Sequence, residues 1–524
     1  MKNYIGIGIS ALAIAACSSM PEVQLSAPNI IIIMADDMGY SDIGCFGGET
    51  ETTNIDKLAE NGIRFTQFYN SGRCCPTRAS LLTGLYSHQA GIGAMVNQTD
   101  RPGYLGRLND NCATFAEVLR EAGYQTFMSG KWHVTHFNYT YDENELHRGS
   151  WPLQRSFDRF FGTISGGGNY YDPVGLVSDN DFIQAGEDFY YTDKISDYAV
   201  KFIEEADNDS PFLLYVSHVA PHWPLHALPG HIEKFRVKYD GGWDKLRDER
   251  YKKMIEEGLI DPQWQLTHRD EKIPAWENTP HKEWESHRMA VYAAQIYSMD
   301  LGIGRIVETL KQTGKYENTL ILFLSDNGGC EEIIQGVKTR HGEFKQGGTI
   351  PGIFPGAADT YASYGVGWAN ASNTPFRLYK KWMHEGGIAT PLIAHWPAVI
   401  KNKKIISNTG HIIDIMPTLI DVAKTSYPAE INGRELLPLE GISLLPAFLG
   451  KKSNQHDALY WEHLGNKAVR EGKWKLVSVD KGEWELYDME ADRTEMNNLV
   501  KTFPETAKRL EGMWENWAVR ANVK

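Results

Sequence analysis

Four short apolar runs in this chain each end abruptly at a polar cluster, and that pattern narrows the fold more than any other feature. Ile30-Ile31-Ile32-Ile33-Met34 runs into Ala35-Asp36-Asp37, and Gln125-Thr126-Phe127-Met128 runs into Ser129-Gly130-Lys131-Trp132-His133. Phe212-Leu213-Leu214-Tyr215-Val216 reaches Ser217-His218 and Pro221-His222, and Leu320-Ile321-Leu322-Phe323-Leu324 reaches Ser325-Asp326-Asn327-Gly328-Gly329. Unbroken apolar runs of this length suit strands buried on both faces, as in a parallel or mixed sheet covered by helices. Amphipathic segments near these runs, at residues 53–61, 114–122, 193–206 and 289–312, complete an alternation that argues for an α/β fold. The expected architecture is a large mixed, mostly parallel sheet flanked by helices.

All four polar clusters follow the carboxyl ends of their strands, where open α/β sheets bind ligands. Asp36, Asp37, Lys131, His133, His222, Asp326 and Asn327 are therefore candidates to converge despite their separation in sequence. Asp36, Asp37, Asp326 and Asn327 offer only oxygen donors, which suits a hard cation such as Ca²⁺ or Mg²⁺. The bland reading of the same residues is a helix cap and a turn.

At 524 residues the chain can form one large domain and a smaller one. Residues 225–287 read as a charged, irregular insertion with an exposed helix at 243–257. Residues 347–373 read as a long Gly/Ala/Ser-rich loop, and 411–422 as a last core helix. The segments 458–461, 474–477 and 484–488 read as strands, and 503–519 as a terminal helix. We therefore expect a catalytic domain over 28–440 and a C-terminal subdomain, an antiparallel sheet with one helix, over 441–524.

Cys74-Cys75-Pro76-Thr77-Arg78, followed by Thr83-Gly84, reads C-x-P-x-R-x-x-x-x-T-G. This string resembles the signature of the sulfatase family, in which the first Cys is oxidised to Cα-formylglycine. Gly130-Lys131-Trp132-His133, Pro221-His222-Trp223-Pro224 and Asn373-Thr374-Pro375-Phe376-Arg377 through Glu385-Gly386-Gly387 are similar to further blocks of that family. The resemblance spans most of residues 28–422 and implies an alkaline-phosphatase-like fold. It departs from the family pattern at Leu378-Tyr379 and at Thr53-Asn54-Ile55-Asp56, without removing a reacting group.

The resemblance implies hydrolysis of aryl or carbohydrate sulfate esters. The nucleophile would be the hydrated aldehyde of Cys74, and one Ca²⁺ would be held by Asp36, Asp37, Asp326, Asn327 and residue 74. One diol hydroxyl would take the sulfuryl group, a covalent step. Loss of a proton from the other would then expel sulfate. Lys131 and Lys380 would contact the sulfate, with the neighbouring Lys381 as the alternative to Lys380. His133 would assist collapse, His222 would serve as general acid, and Arg78 would brace the diol and the metal-side carboxylates. A maturation enzyme that oxidises Cys74 is an implied partner. His463, Arg470 and Trp368 stand as further candidates for substrate contact, beside structural roles. The alternatives are a phosphatase or phosphodiesterase on the same fold and a catalytically dead, lipid-anchored glycan-binding protein.

Lys2 and the apolar residues 5–16 read as a secretory signal. Ile14-Ala15-Ala16-Cys17 resembles a bacterial lipobox, so residues 1–17 form the expected leader, with a lipid on Cys17 and a tether over 18–27. A plain signal peptide cut near Ala16 is the alternative. Both place the mature protein in the periplasm or cell envelope, touching a membrane only through that lipid. The formal net charge of −14 argues against a nucleic-acid partner. Of the six cysteines, Cys45, Cys112 and Cys330 read as buried free thiols.

Overall fold

The computed structural model describes residues 26–137, 147–338, 344–346 and 348–524. The expected leader, including Cys17, and most of the tether lie outside the described residues. Seven strands build the body of the principal sheet: β1 (Asn29–Ala35), β2 (Ile63–Tyr69), β3 (Gln125–Gly130), β4 (Arg159–Thr163), β7 (Phe212–Ser217), β8 (Thr319–Ser325) and β11 (Ala389–His395). Four short strands extend it: β5 (Leu176–Ser178), β6 (Asp181–Phe182), β12 (Lys404–Ile406) and β13 (Gly410–His411). Two small hairpins, β9 (Gly336–Lys338) with β10 (Phe344–Gln346) and β14 (Glu430–Ile431) with β15 (Arg434–Glu435), stand apart from it. The order is β12-β2-β11-β8-β1-β7-β3-β4-β5-β6, with β13 also on β2.

The central strands are parallel, and β11 runs against both its neighbours, β2 and β8. The sheet is thus mixed and mostly parallel, as the apolar runs predict. Ile30 to Ile33 of β1 are fully buried, with Leu213 to Val216 of β7 on one side and Leu320 to Phe323 of β8 on the other. Branched side chains pack well on such a doubly covered strand. Helices Thr53–Glu60, Tyr191–Glu205 and Pro229–Phe235 pack on the long helix Lys282–Gln312, while Cys74–Thr83, Phe115–Glu121 and Ile415–Ala423 pack on one another. A second sheet of four antiparallel strands, β16 (Leu459–His463), β17 (Asn466–Glu471), β18 (Trp474–Ser478) and β19 (Glu485–Asp488), carries the terminal helix Pro504–Arg520.

Two readings need correction. The helix Gly242–Glu256 is not an exposed one: Trp243, Leu246, Arg247, Arg250 and Met254 are buried. Its charged pattern misleads because Arg250 is sunk between Asp42 at 2.7 Å and Glu49 at 2.7 Å. The 347–373 segment is not loop throughout, since Gly365–Ser372 is a helix with Gly367 and Trp368 buried. Small residues there allow close packing, as a Cβ on Gly367 would stand 2.7 Å from the Trp243 ring. Trp368 lies edge-on to Trp243 at 5.4 Å and donates to the Glu285 carbonyl at 2.8 Å, so it is core and not a substrate contact.

Candidate active site

Strand register brings the polar clusters together. Ala35 on β1 pairs with Ser325 on β8, so Asp36 and Asp326 leave the sheet side by side. Met34 pairs with Ser217 on β7, and Ser217 pairs with Gly130 on β3, which brings Lys131 to the same edge. Gly130 has φ of 115°, and a Cβ there would lie 1.9 Å from the Ser217 carbonyl oxygen. Only glycine fits that crossing. Strand β2 is parallel to this group because β11 reverses between them, so its carboxyl end also faces the edge. The chain then turns through Asn70 to Arg73 into the helix Cys74–Thr83, with Cys74 in its first turn. The amino end of the reversed β11 meets the same edge, preceded by the segment that carries Lys380.

All the expected site residues lie within this edge region, and each is more than nine-tenths buried. Lys131 Nζ lies 2.5 Å from Asp36 Oδ2, and Lys380 Nζ lies 2.7 Å from Asp37 Oδ1. Arg78 grips Asp326 Oδ2 through Nε at 3.1 Å and Nη2 at 2.7 Å, and its Nη2 is 3.6 Å from Asp36. Asn327 Nδ2 donates to Asp37 Oδ1 at 2.7 Å. Of the two adjacent lysines, Lys380 faces the cluster, whereas Lys381 pairs with Glu331 at 3.3 Å. Burial alone would raise the Asp36 carboxyl, but Lys131, His222 and Arg78 hold it well below the ordinary range. Burial would depress Lys380, and Asp37 instead holds it well above its usual value.

His222 Nδ1 sits 2.5 Å from the Trp223 carbonyl, which can only accept, so Nδ1 carries the proton. Its Nε2 faces Lys380 Nζ and Asp37 Oδ2, each at 3.4 Å. Burial lowers His222, against the pull of Asp37 and Asp36, and burial with Lys131 lowers His133 to about 4. The Cys75 hydrogen bond, with Lys131, His133 and Lys380, holds the Cys74 thiol well below its usual value despite burial. Thus Cys74 senses the same cations that pair with Asp36 and Asp37.

Three carboxylates (Asp36, Asp37, Asp326) face three fixed cations (Arg78, Lys131, Lys380). The adjacent aspartates are neutralised here by lysines. Yet Asp36 Oδ1 and Asn327 Oδ1 are buried with no hydrogen-bond partner, and buried acceptors are rarely left so. Two orphaned oxygens in an all-oxygen set fit a hard cation. Residues that sequence reasoning missed are Gly166 and Gly167, which back the two imidazoles. A Cβ on Gly166 would lie 2.7 Å from the His133 ring, and one on Gly167 would lie 2.5 Å from His222 Nδ1. His463 and Arg470 divide: His463 is buried near Arg73 and Cys74 with neither ring nitrogen bonded, whereas Arg470 is tied to Tyr69 and to Gln67 at 2.8 Å.

Residues 28–425 match the Sulfatase family model, and residues 376–517 match that of the N-sulphoglucosamine sulphohydrolase C-terminal region. An arylsulfatase of Klebsiella aerogenes is 34% identical over 80% of this chain and 92% of its own. An uncharacterized sulfatase of Schizosaccharomyces pombe is 32% identical over 94% of each chain. The crystal structure of Ps i-CgsB in complex with k-i-k-neocarrahexaose superposes with a TM-score of 0.68 at 25% identity, covering 94% of this chain and 93% of that one. A family model that spans most of the chain, joined to relatives matched nearly end to end, assigns this protein to the sulfatases: it is a sulfuric ester hydrolase with an alkaline-phosphatase-like fold.

Proposed function

We propose that this enzyme removes sulfate from carbohydrate esters, using residue 74 as Cα-formylglycine and one Ca²⁺ held by Asp36, Asp37, Asp326 and Asn327. The charge count carries the reading. Three buried carboxylates balance three fixed cations, so a bound divalent cation leaves an excess positive charge, of which the single negative charge of a sulfate ester offsets one unit. When bound, the cation supplies charge for the sulfuryl oxygens and the diol supplies the nucleophilic hydroxyl.

The chain's own side chains do the rest. Lys131 and Lys380 aim ammonium groups at the place where the sulfuryl oxygens would sit, and each such preorganised donor is typically worth about 3 kcal/mol. Arg78 holds Asp326 by two bonds and so fixes the wall of the cation site. His222, anchored through Nδ1, can deliver a proton only from Nε2, and so only as the imidazolium. That proton would go to the departing oxygen of the alcohol. The neutral His133 is suited to receiving a proton at residue 74. A carbohydrate substrate is favoured by the likeness to Ps i-CgsB, whose structure holds a neocarrahexaose. Export, with a lipid on Cys17, remains part of the reading, and radiolabelled palmitate incorporation lost in Cys17→Ala tests it.

Mass spectrometry of the Cys74 peptide from the native host tests the nucleophile: thiol to aldehyde lowers the mass by about 18 Da. A peptide that stays fully thiol in active enzyme overturns the proposal. Chelation should abolish turnover, with Ca²⁺ restoring it. A screen of sulfated monosaccharides against nitrophenyl sulfate checks the substrate class, and the expected outcome is a higher kcat/KM for a sugar sulfate.

A further inference from the structure

A second set of donors surrounds residue 74, and its chemistry is opposite to that of the oxygen site. Cys74, Cys75 and His133 place their two sulfurs and one ring nitrogen within 4.8 Å of one another. All three are buried, with exposures of 2%, 0% and 7%. His133 Nδ1 is buried there with no hydrogen-bond partner, whereas buried polar atoms are ordinarily satisfied. Two sulfurs and an imidazole are soft and borderline donors, suited to Zn²⁺ and poorly suited to Ca²⁺.

We propose that, while residue 74 is still a cysteine, Cys74, Cys75 and His133 form a three-ligand site for Zn²⁺. On binding, both S–H bonds break, the two protons pass to solvent and two Zn–S bonds form, with no change of oxidation state. Two thiolates neutralise the divalent ion, so the complex adds no net charge beside Lys131. Oxidation of Cys74 to the aldehyde removes one of the two sulfurs and dismantles the site. The chemical state of residue 74 thus selects the cation: thiophilic before oxidation, hard after it. This inference goes beyond the proposed function and holds even for a chain whose Cys74 is never oxidised.

The test uses the full chain made in a host lacking a maturation enzyme, with the Cys74 thiol verified by mass. Titration with Co²⁺ should give sulfur-to-metal charge-transfer absorption that saturates at a single equivalent and is bleached by Zn²⁺. Cys75→Ser and His133→Asn should each weaken binding by at least about tenfold, whereas Cys330→Ser should not. Absence of the band, or a band undiminished in Cys75→Ser, overturns the proposal. Should that variant fail to fold, alkylation of the unsubstituted chain decides. Zn²⁺ must shield Cys74 and Cys75 while leaving the half-buried Cys45 open, and equal labelling with and without Zn²⁺ also overturns it. Neither readout depends on sulfatase activity, so its failure and that of the formylglycine reading are separable.

Discussion

At the scale of single residues, the two imidazoles owe their places to the absence of a side chain opposite them. Gly167→Ala would drive a methyl group against His222 Nδ1, the atom that bonds the Trp223 carbonyl, and so displace the ring. A displacement of about 1 Å in a reacting group can cost about 100-fold in rate, so kcat should fall by that order. The fall should be steeper for esters with poor leaving groups, which need the proton most, as a series of aryl sulfates would reveal. Lys380→Met should lower kcat by about 10²–10³ through loss of one preorganised cation. Steady-state kinetics would also show Lys381→Met nearly unchanged, because that ammonium pairs elsewhere. The candidate site residues were legible in the sequence because they sit in distinctive strings, such as Cys74-Cys75-Pro76-Thr77-Arg78 and Gly130-Lys131-Trp132-His133. The glycine tract at 166–168 was silent, since nothing in the string tells which rings a bare backbone will face.

At the scale of elements, the helix Cys74–Thr83 is fastened to the sheet chiefly by Arg78. Its fork spans Asp326 and also donates to the Lys131 carbonyl at 3.3 Å. Arg78→Lys keeps the charge and loses the fork. Loss of a hydrogen bond to a charged group is worth about 1.5–3 kcal/mol, and chemical denaturation should show a drop of that size. The four apolar runs read correctly as strands, but β2 and β11 went unread, and both failures have physical causes. Strand β2 carries Arg64, Thr66 and Gln67, polar residues whose partners lie in distant segments: Arg64 reaches the Cys45 carbonyl at 2.6 Å and Glu257 at 3.2 Å. Strand β11 contains Pro391, which normally argues against an inner strand. It is accommodated where the register with β2 shifts between Thr390 and Leu392. Helices with a clear apolar stripe were read, whereas the short helix Gly365–Ser372, rich in small residues, was read as loop.

At the scale of the whole molecule, buried charges weld the smaller sheet to the larger one. Lys475 on β18 lies 2.9 Å from Glu385 and 2.8 Å from Glu495, and Arg493 lies 2.8 Å from Glu385, all fully buried. Tyr69 at the end of β2 donates to Glu385 at 2.9 Å, and Trp461 donates to the Asn70 carbonyl at 2.8 Å. Lys475→Met would take the lysine partner from Glu495 while Glu385 keeps Arg493, and breaking such a buried pair typically costs about 3–5 kcal/mol, measurable as a lower denaturation midpoint. The same weld predicts acid sensitivity. Burial would raise Glu385, yet Lys475, Arg493 and Arg470 hold it at about 2, against 4.5 for a free carboxyl. A carboxyl lowered in the folded state contributes stability above 4.5 and loses it as pH falls from 4.5 towards 2. The buried His218 and His463, held neutral at about 3 and about 4 mainly by burial, act earlier. Unfolded imidazoles take up protons below 6.5 and the folded ones resist. Stability should therefore plateau above pH 6.5 and decline in stages below it, as circular dichroism melts across pH would show. None of this weld could be read from the string, because ion pairs between residues 385, 475 and 493 leave no local signature.

The reversed course of β11 carries one further consequence. The span Ala389–His395 slots between β2 and β8, so β2 lacks that neighbour until this late stretch has been synthesised. Before then the stretch around Cys74 hangs on an open-sided ribbon, and afterwards its sulfur is sealed from any protein-sized visitor. A protein-sized catalyst acting on that sulfur would have to reach it ahead of the strand that shuts the door.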